Sequence, residues 1–320
     1  MTTIPASSPS AQTAPAASSA GIEPAQLTAW RADFDADPAH RRMQNAVTRT
    51  ALDDVALDRA VVAGTDHTFS HVLDDWAVTS QKKSGRCWMF AGLNLLRVGA
   101  MKAMNLKAFE FSQNYTFFWD KLERANYFLQ QILDTAGSGL DDRVVAYLLD
   151  RPLDDGGQWN MFVNIVKKYG LVPKSAMPES ESSSNTPRMN ANLKTILREG
   201  AAALRELVAG GANQEAIQAR KGQVMSTVYR VLCIHLGTPP ESFDWRWNDK
   251  DKNFHADGTL TPQQFAEKYC TIDLDDYVCL VHDPRRARRS ARPSPSPTWA
   301  TCWGATTTGA CATSTSISTS

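Results

Sequence analysis

No excess of either charge marks this 320-residue chain: 34 basic side chains meet 34 acidic ones, so neither nucleic acid nor an acidic membrane is favoured as a bulk partner. Long apolar runs are missing as well. No stretch approaches the roughly 20 residues that cross a bilayer, so no membrane span is expected. Residues 1–20 are dominated by Pro, Ala, Ser and Thr, with neither a basic start nor an apolar core. That composition excludes an ordinary secretory signal, and the expected compartment is the cytoplasm. The six cysteines, Cys87, Cys233, Cys270, Cys279, Cys302 and Cys311, include no Cys-x-x-Cys pair. Cys233 with His235 is too small a cluster for zinc and reads as an ordinary buried pair on a helix. No metal and no cofactor is expected.

What the chain does have is Ser84-Gly85-Arg86-Cys87-Trp88, with Gln81 ahead of the cysteine and an apolar, helix-like run behind it. Met89, Phe90, Leu93, Asn94, Leu96, Arg97 and Met101 recur at helical spacing across Trp88 to Met104. Cys87 therefore falls in the first turn of a helix. A thiol attacks as its thiolate, and a helix N-terminus supplies the partial positive charge that favours the anion. Gly85 permits a tight approach into that helix. The Gln81 amide, folded back beside the Cys87 backbone N–H, could hold a developing oxyanion. Nucleophile and oxyanion donor are two parts of an acyl-transfer site. The papain-type pattern Cys-Gly-Ser/Ala-Cys-Trp/Tyr is close to this stretch, although Ser84 stands at its first cysteine.

Gln81 to Asn94, QKKSGRCWMFAGLN, resembles the bleomycin hydrolase and aminopeptidase C family, a branch of the papain-like cysteine peptidases. The likeness continues in order through FEFSQNYTFFWDKLERANYFL (109–129), LDDR (140–143), DGGQWNM (155–161), YGLVPKSAMPES (169–180), the SSSNT run from Ser182, DKDKNFH (249–255) and DLDDYVCL (273–280). It covers residues 45 to 283. The resemblance implies Cys87 as nucleophile, Gln81 as oxyanion-hole donor, and Gly156 and Gly157 along bound peptide. Spacing alone leaves those two glycines open to a plainer reading, an Asp-Gly-Gly turn before a helix starting near Gln158. The resemblance further implies an aminopeptidase acting on peptides with a free N-terminus, assembled as a homo-hexamer.

A papain-type thiol also needs a histidine to take and return its proton and an Asn or Asp to orient the ring. In the family these lie late in a longer chain. His40, His67 and His71 precede the nucleophile, and His235, His255 and His282 fall in family segments that do not carry the base. From Arg285 the composition changes to Arg-Arg-Ala-Arg-Arg, then Pro-Ser repeats, then Thr-, Ser- and Ala-rich sequence in which Ile317 is the one branched aliphatic residue. Read through the genetic code in another frame, Thr298 to Ser320 is compatible with segments of the family's kind. A frameshift between Arg285 and Ala291 is the expectation, with a native disordered tail as the alternative. The basic run and Cys302 and Cys311 then call for no nucleic-acid or metal explanation.

The resulting expectation is an α+β, papain-like cysteine peptidase fold with the helical half and a helical insertion present and the β-rich half largely missing. Residues 1–22 form a disordered extension, 23–283 the partial peptidase domain and 284–320 an aberrant tail. Helices are expected from Pro24, divided at Asp37-Pro38 from the next, and over Phe117 to Leu133, Val144 to Leu149, Ala191 to Leu207 and Gln214 to Leu236. The chief strand candidate is Tyr277 to Val281. Two functions follow from different classes: a cysteine aminopeptidase, or a non-catalytic truncated or interacting protein that keeps only the nucleophile half.

Overall fold

The computed structural model describes residues 21–277 except 71 and 73–76. The expected strand beyond Tyr277, His71, His282, Cys279, Cys302, Cys311 and both chain ends lie outside the described residues. The chain divides after Leu73 into two compact units.

The first unit holds helices α1 (Pro24–Ala36), α2 (Pro38–Val47), α3 (Leu52–Val55) and α4 (Arg59–Gly64). Each prolyl start follows from the missing N–H, which costs nothing in a first turn. The Gln26 side-chain oxygen accepts from the Glu23 N–H at 2.8 Å, and Asp37 closes α1 and caps α2 by accepting from the Ala39 N–H at 2.8 Å. The sharp corner is held further by Phe34 stacked on His40 and by the Asp35–Arg41 ion pair. None of the four helices buries a residue.

The second unit is a helical layer with a small sheet at one side. In order it runs α5 (Cys87–Ala103), α6 (Gln113–Asp134), α7 (Arg143–Asp150), α8 (Trp159–Tyr169), α9 (Glu181–Ser184), α10 (Pro187–Ala209), α11 (Gln214–Leu236), β1 (Phe243–Asn248), β2 (Phe254–Leu260) and α12 (Pro262–Tyr269), then a 3₁₀ turn at Leu274–Asp276. Met89, Leu93, Leu96 and Ala100 form the buried stripe of α5, one turn apart as the sequence spacing requires. They meet a core shared with α6, to which Phe117, Phe118, Phe128 and Leu129 contribute, and with α8, through Phe162 and Ile165. α10 and α11 pair with each other and cover α6, burying Leu193, Leu197 and Leu204 against Val224, Val228 and Leu232. Each such aliphatic or aromatic side chain contributes about 1.5–3 kcal/mol by burial.

β1 and β2 form an antiparallel hairpin with Trp245 opposite Gly258 and Trp247 opposite His255, and a bulge between Trp245 and Arg246. Its apolar face, Phe243 and Trp245 with Trp247, lies on Phe265 of α12 and Phe109. The Trp247 indole donates to the Met104 carbonyl at 3.1 Å, tying the hairpin to the end of α5. Sequence reasoning missed this hairpin. β1 alternates aromatic and polar residues but β2 does not, and the turn between them carries no Asn-Gly or Asp-Gly signal; Lys252 takes the left-handed backbone (φ 70°) instead. Tyr277, the described end of the expected strand, belongs to no strand.

Candidate active site

Cys87 is the first residue of α5, and its side chain is exposed to solvent. The preceding turn is built from both sides. Upstream, residues 77–81 run beside α5: Arg97 donates to the Ala77 carbonyl at 2.8 Å and Asn94 to the Thr79 hydroxyl at 2.9 Å. This brings Gln81 to the head of the helix. Lys82 then reverses the chain in the left-handed region (φ 55°), unusual for a side chain with a Cβ. Lys83 anchors the bend, donating its N–H to the Ser184 carbonyl at 2.9 Å while its own carbonyl accepts from the Thr186 N–H. The Gln81 side-chain oxygen is buried with no hydrogen-bond partner among the described residues.

Ser84 and Arg86 form a relay inside the turn. The Ser84 hydroxyl donates to the Gln81 carbonyl at 2.6 Å and accepts from Arg86 Nε at 2.8 Å. A cysteine at position 84 would offer only a weak donor and a weak acceptor there. The Arg86 guanidinium is completely buried, lies over the rings of Phe90 and Phe117, and reaches Glu179 with two parallel bonds of 2.9 and 2.7 Å. Burial pushes the Glu179 carboxyl up, but Arg86 and the Ser183 and Ser184 hydroxyls outweigh it and hold the group below its usual range.

Asp155 is the opposite wall. Its carboxylate accepts from the Gly85 N–H (3.3 Å), the Thr186 hydroxyl (2.6 Å), the Asn190 amide (2.7 Å) and the Lys121 ammonium. Its backbone carbonyl accepts from the Trp88 indole at 2.8 Å. Burial works against the charge, yet Lys121 and the other donors outweigh it and hold the carboxyl far below the usual carboxylate range. Lys121 and Arg124, one turn apart on α6, grip the neighbouring carbonyls of Asp154 (2.7 Å) and Gly156 (2.5 Å). Arg124 is itself held by Asp120, which is fully buried.

The two glycines differ. A Cβ on Gly157 would stand 2.5 Å from the Trp88 ring, so glycine there is demanded by internal packing. A Cβ on Gly156 would meet nothing within 4 Å; that edge is open. α8 begins at Trp159 with Gln158 as its cap, so the plainer reading, a turn before a helix, is also present in the geometry.

The structure therefore brings the Cys87 turn, the Gln81 bend and the Gly156–Gly157 segment to one place. No described histidine is hydrogen-bonded to Cys87. His235 bonds the Ser182 hydroxyl at 2.8 Å, His255 bonds Asp249 at 3.1 Å, and His40 bonds the Phe34 carbonyl. Sequence reasoning missed Lys121, Asp155 and Glu179, and it read Arg86, with Lys82 and Lys83, as a nearby cation favouring the Cys87 thiolate; the structure instead buries the Arg86 guanidinium in a pair with Glu179. The signal available for Lys121 was a Lys and an Arg inside the aromatic-rich run 115–129.

A helical layer whose first long helix starts at an exposed cysteine, with a small sheet beside it, defines an α+β protein of the papain-like class. The chain belongs to the Peptidase C1-like family, whose profile matches residues 21–293. It is 45% identical over 272 residues to the bleomycin hydrolase of Rattus norvegicus, covering 83% of this chain and 60% of that protein. To the aminopeptidase W of Lactobacillus delbrueckii subsp. lactis it is 44% identical over 263 residues, covering 82% and 60%. Among solved structures, the crystal structure of PepW from Lactobacillus rhamnosis superposes with a TM-score of 0.80 at 45% identity, over 84% of this chain and 60% of that one. The chain thus spans 60% of the length of these relatives. No described helix is long and apolar enough to cross a membrane.

Proposed function

We propose that this chain carries the nucleophile side of a cysteine aminopeptidase of the bleomycin hydrolase type, acting on peptides and related amides with a free N-terminus. The observation that carries the reading is Cys87, exposed at the first position of α5, with the Gln81 bend and the open Gly156 edge on either side of its turn. Cys87 as thiolate attacks the carbonyl carbon of the scissile amide, and Gln81 donates to the oxyanion that forms. Expulsion of the amine leaves an acyl-enzyme, which water then hydrolyses. The peptide lies along Gly156, where the absence of a Cβ leaves the backbone approachable. The proton that the leaving amine needs comes, by resemblance, from a histidine oriented by an asparagine in the later part of the family's fold. Cytoplasmic residence and a homo-hexamer belong to the same proposal by analogy with the family.

A second reading has its own observation. The described imidazoles of His235 and His255 are engaged by Ser182 and Asp249 and not by Cys87, which supports reading the chain as a non-catalytic truncated or interacting protein that retains only the nucleophile half. The out-of-frame origin of residues 284–320 belongs to this reading, and resequencing the gene around the Arg285 codon tests it. Hydrolysis of an aminoacyl fluorogenic amide by the protein and by Cys87→Ser separates the two. Turnover lost with the thiol supports the peptidase; alkylation of Cys87 without turnover supports the second reading. Turnover that survives Cys87→Ser overturns both.

A further inference from the structure

We infer that Asp155 is a positioning residue for the nucleophile, holding the turn that bears Cys87 against the open Gly156 edge. The inference deepens the proposed peptidase reading and rests on Cys87 as its nucleophile. The Cys87 thiol has no hydrogen-bond partner among the described residues, so its direction is set by its neighbours in the chain. Those neighbours converge on one residue. Gly85, two positions before the thiol, gives its N–H to the Asp155 carboxylate, and Trp88, immediately after it, gives its indole N–H to the Asp155 carbonyl. The fit is close, since a Cβ on Gly85 would stand 2.7 Å from that of Asp155.

Asp155 is fixed in turn from three directions. Lys121 of α6 pairs with it, and Thr186 and Asn190, at the start of α10, donate to it. The peptide units on either side are pinned by Lys121 and Arg124. Carbonyls 154 and 156 accept from α6 while carbonyl 155 accepts from Trp88, and the chain bends at Asp155, so the segment cannot slide without breaking ion pairs in the interior. Arg86 and Glu179 lock the same turn from its other side, their two bonds running to each other. Asp155 is shared by the nucleophile turn and the Gly156 wall, and their separation is set there. An error of about 1 Å in such a separation costs on the order of 10²-fold in rate.

Three variants of the full chain test this: Asp155→Asn, Thr186→Val, and Glu123→Gln as a control. Glu123 is a buried carboxylate of α6 that bonds Lys168 and Tyr169, away from the Cys87 turn. The readouts are the alkylation rate of Cys87 by neutral iodoacetamide and by anionic iodoacetate, each normalised to the folded fraction. Asp155→Asn keeps one acceptor but turns an amide N–H towards a ring of donors. Its rate should fall about tenfold, with iodoacetate losing more because the thiol leaves the positive end of α5. Thr186→Val removes one hydroxyl and no charge, and should give a smaller fall of the same kind. Glu123→Gln should lose stability with no change of rate. A folded Asp155→Asn with the wild-type rate and reagent ratio overturns the inference; where that variant does not fold, a wild-type rate in Thr186→Val does so. Alkylation needs no turnover, so a failure of the peptidase reading shows separately, in the fluorogenic assay.

Discussion

Cys87, Gln81, Gly156 and Gly157 are single residues whose environments divide their roles. Gly157 is packed so tightly against Trp88 that a methyl group forces the indole to move, whereas Gly156 faces open space. Gly157→Ala should therefore destabilise by about 1–3 kcal/mol, the usual effect of overpacking. Gly156→Ala should stay within about 0.5 kcal/mol in denaturant unfolding, as surface substitutions do, yet weaken peptide binding if substrate runs along it. Equal destabilisation by the two would show that Gly156 is also a packing residue. The thiols divide in the same way. Cys87 is exposed, while the half-buried Cys270 is pushed up by burial and so resists forming a thiolate.

At the scale of elements, the start of α5 is held by two carboxylates, Asp155 and Glu179, rather than by a side-chain cap of its own. Both have folded-state affinities for protons below those of a free carboxyl. The sign follows by linkage: their ionised forms favour the fold, fully so above the unfolded carboxylate range, and that stability is lost as pH falls through their depressed values. The melting temperature should be flat from neutral pH down to about 5 and fall below about pH 4. Glu179→Gln should melt lower at neutral pH, with a shallower acid slope measured by circular dichroism. An unchanged slope would remove Glu179 from the lock. Element boundaries were legible where one period ran uninterrupted. The α11 span 214–236 follows from its pattern and from Asn213 as cap, and α5 begins at Cys87, the residue its apolar spacing puts in the first turn. The hairpin was not legible, because its turn depends on Lys252 adopting a backbone that its sequence does not announce.

At the scale of the whole molecule, the helix carrying Cys87 could be read from local spacing, but the lock around it could not. Arg86 meets Glu179 across 93 positions and Lys121 meets Asp155 across 34, and no local pattern encodes such pairs. Only the fold brings them together, by packing α5, α6 and α8 on one core and leading the 77–86 segment between them and the start of α10. The central claim is that this packing makes Cys87 a nucleophile and not merely an exposed thiol. The direct measurement is the rate of Cys87 alkylation by iodoacetamide, followed by peptide mass mapping, in the native protein and in the same protein unfolded in guanidinium. The account predicts that Cys87 reacts faster in the native chain than in the unfolded one, while Cys233 and Cys270 react more slowly when folded. Native Cys87 reacting no faster than the unfolded thiol would contradict it.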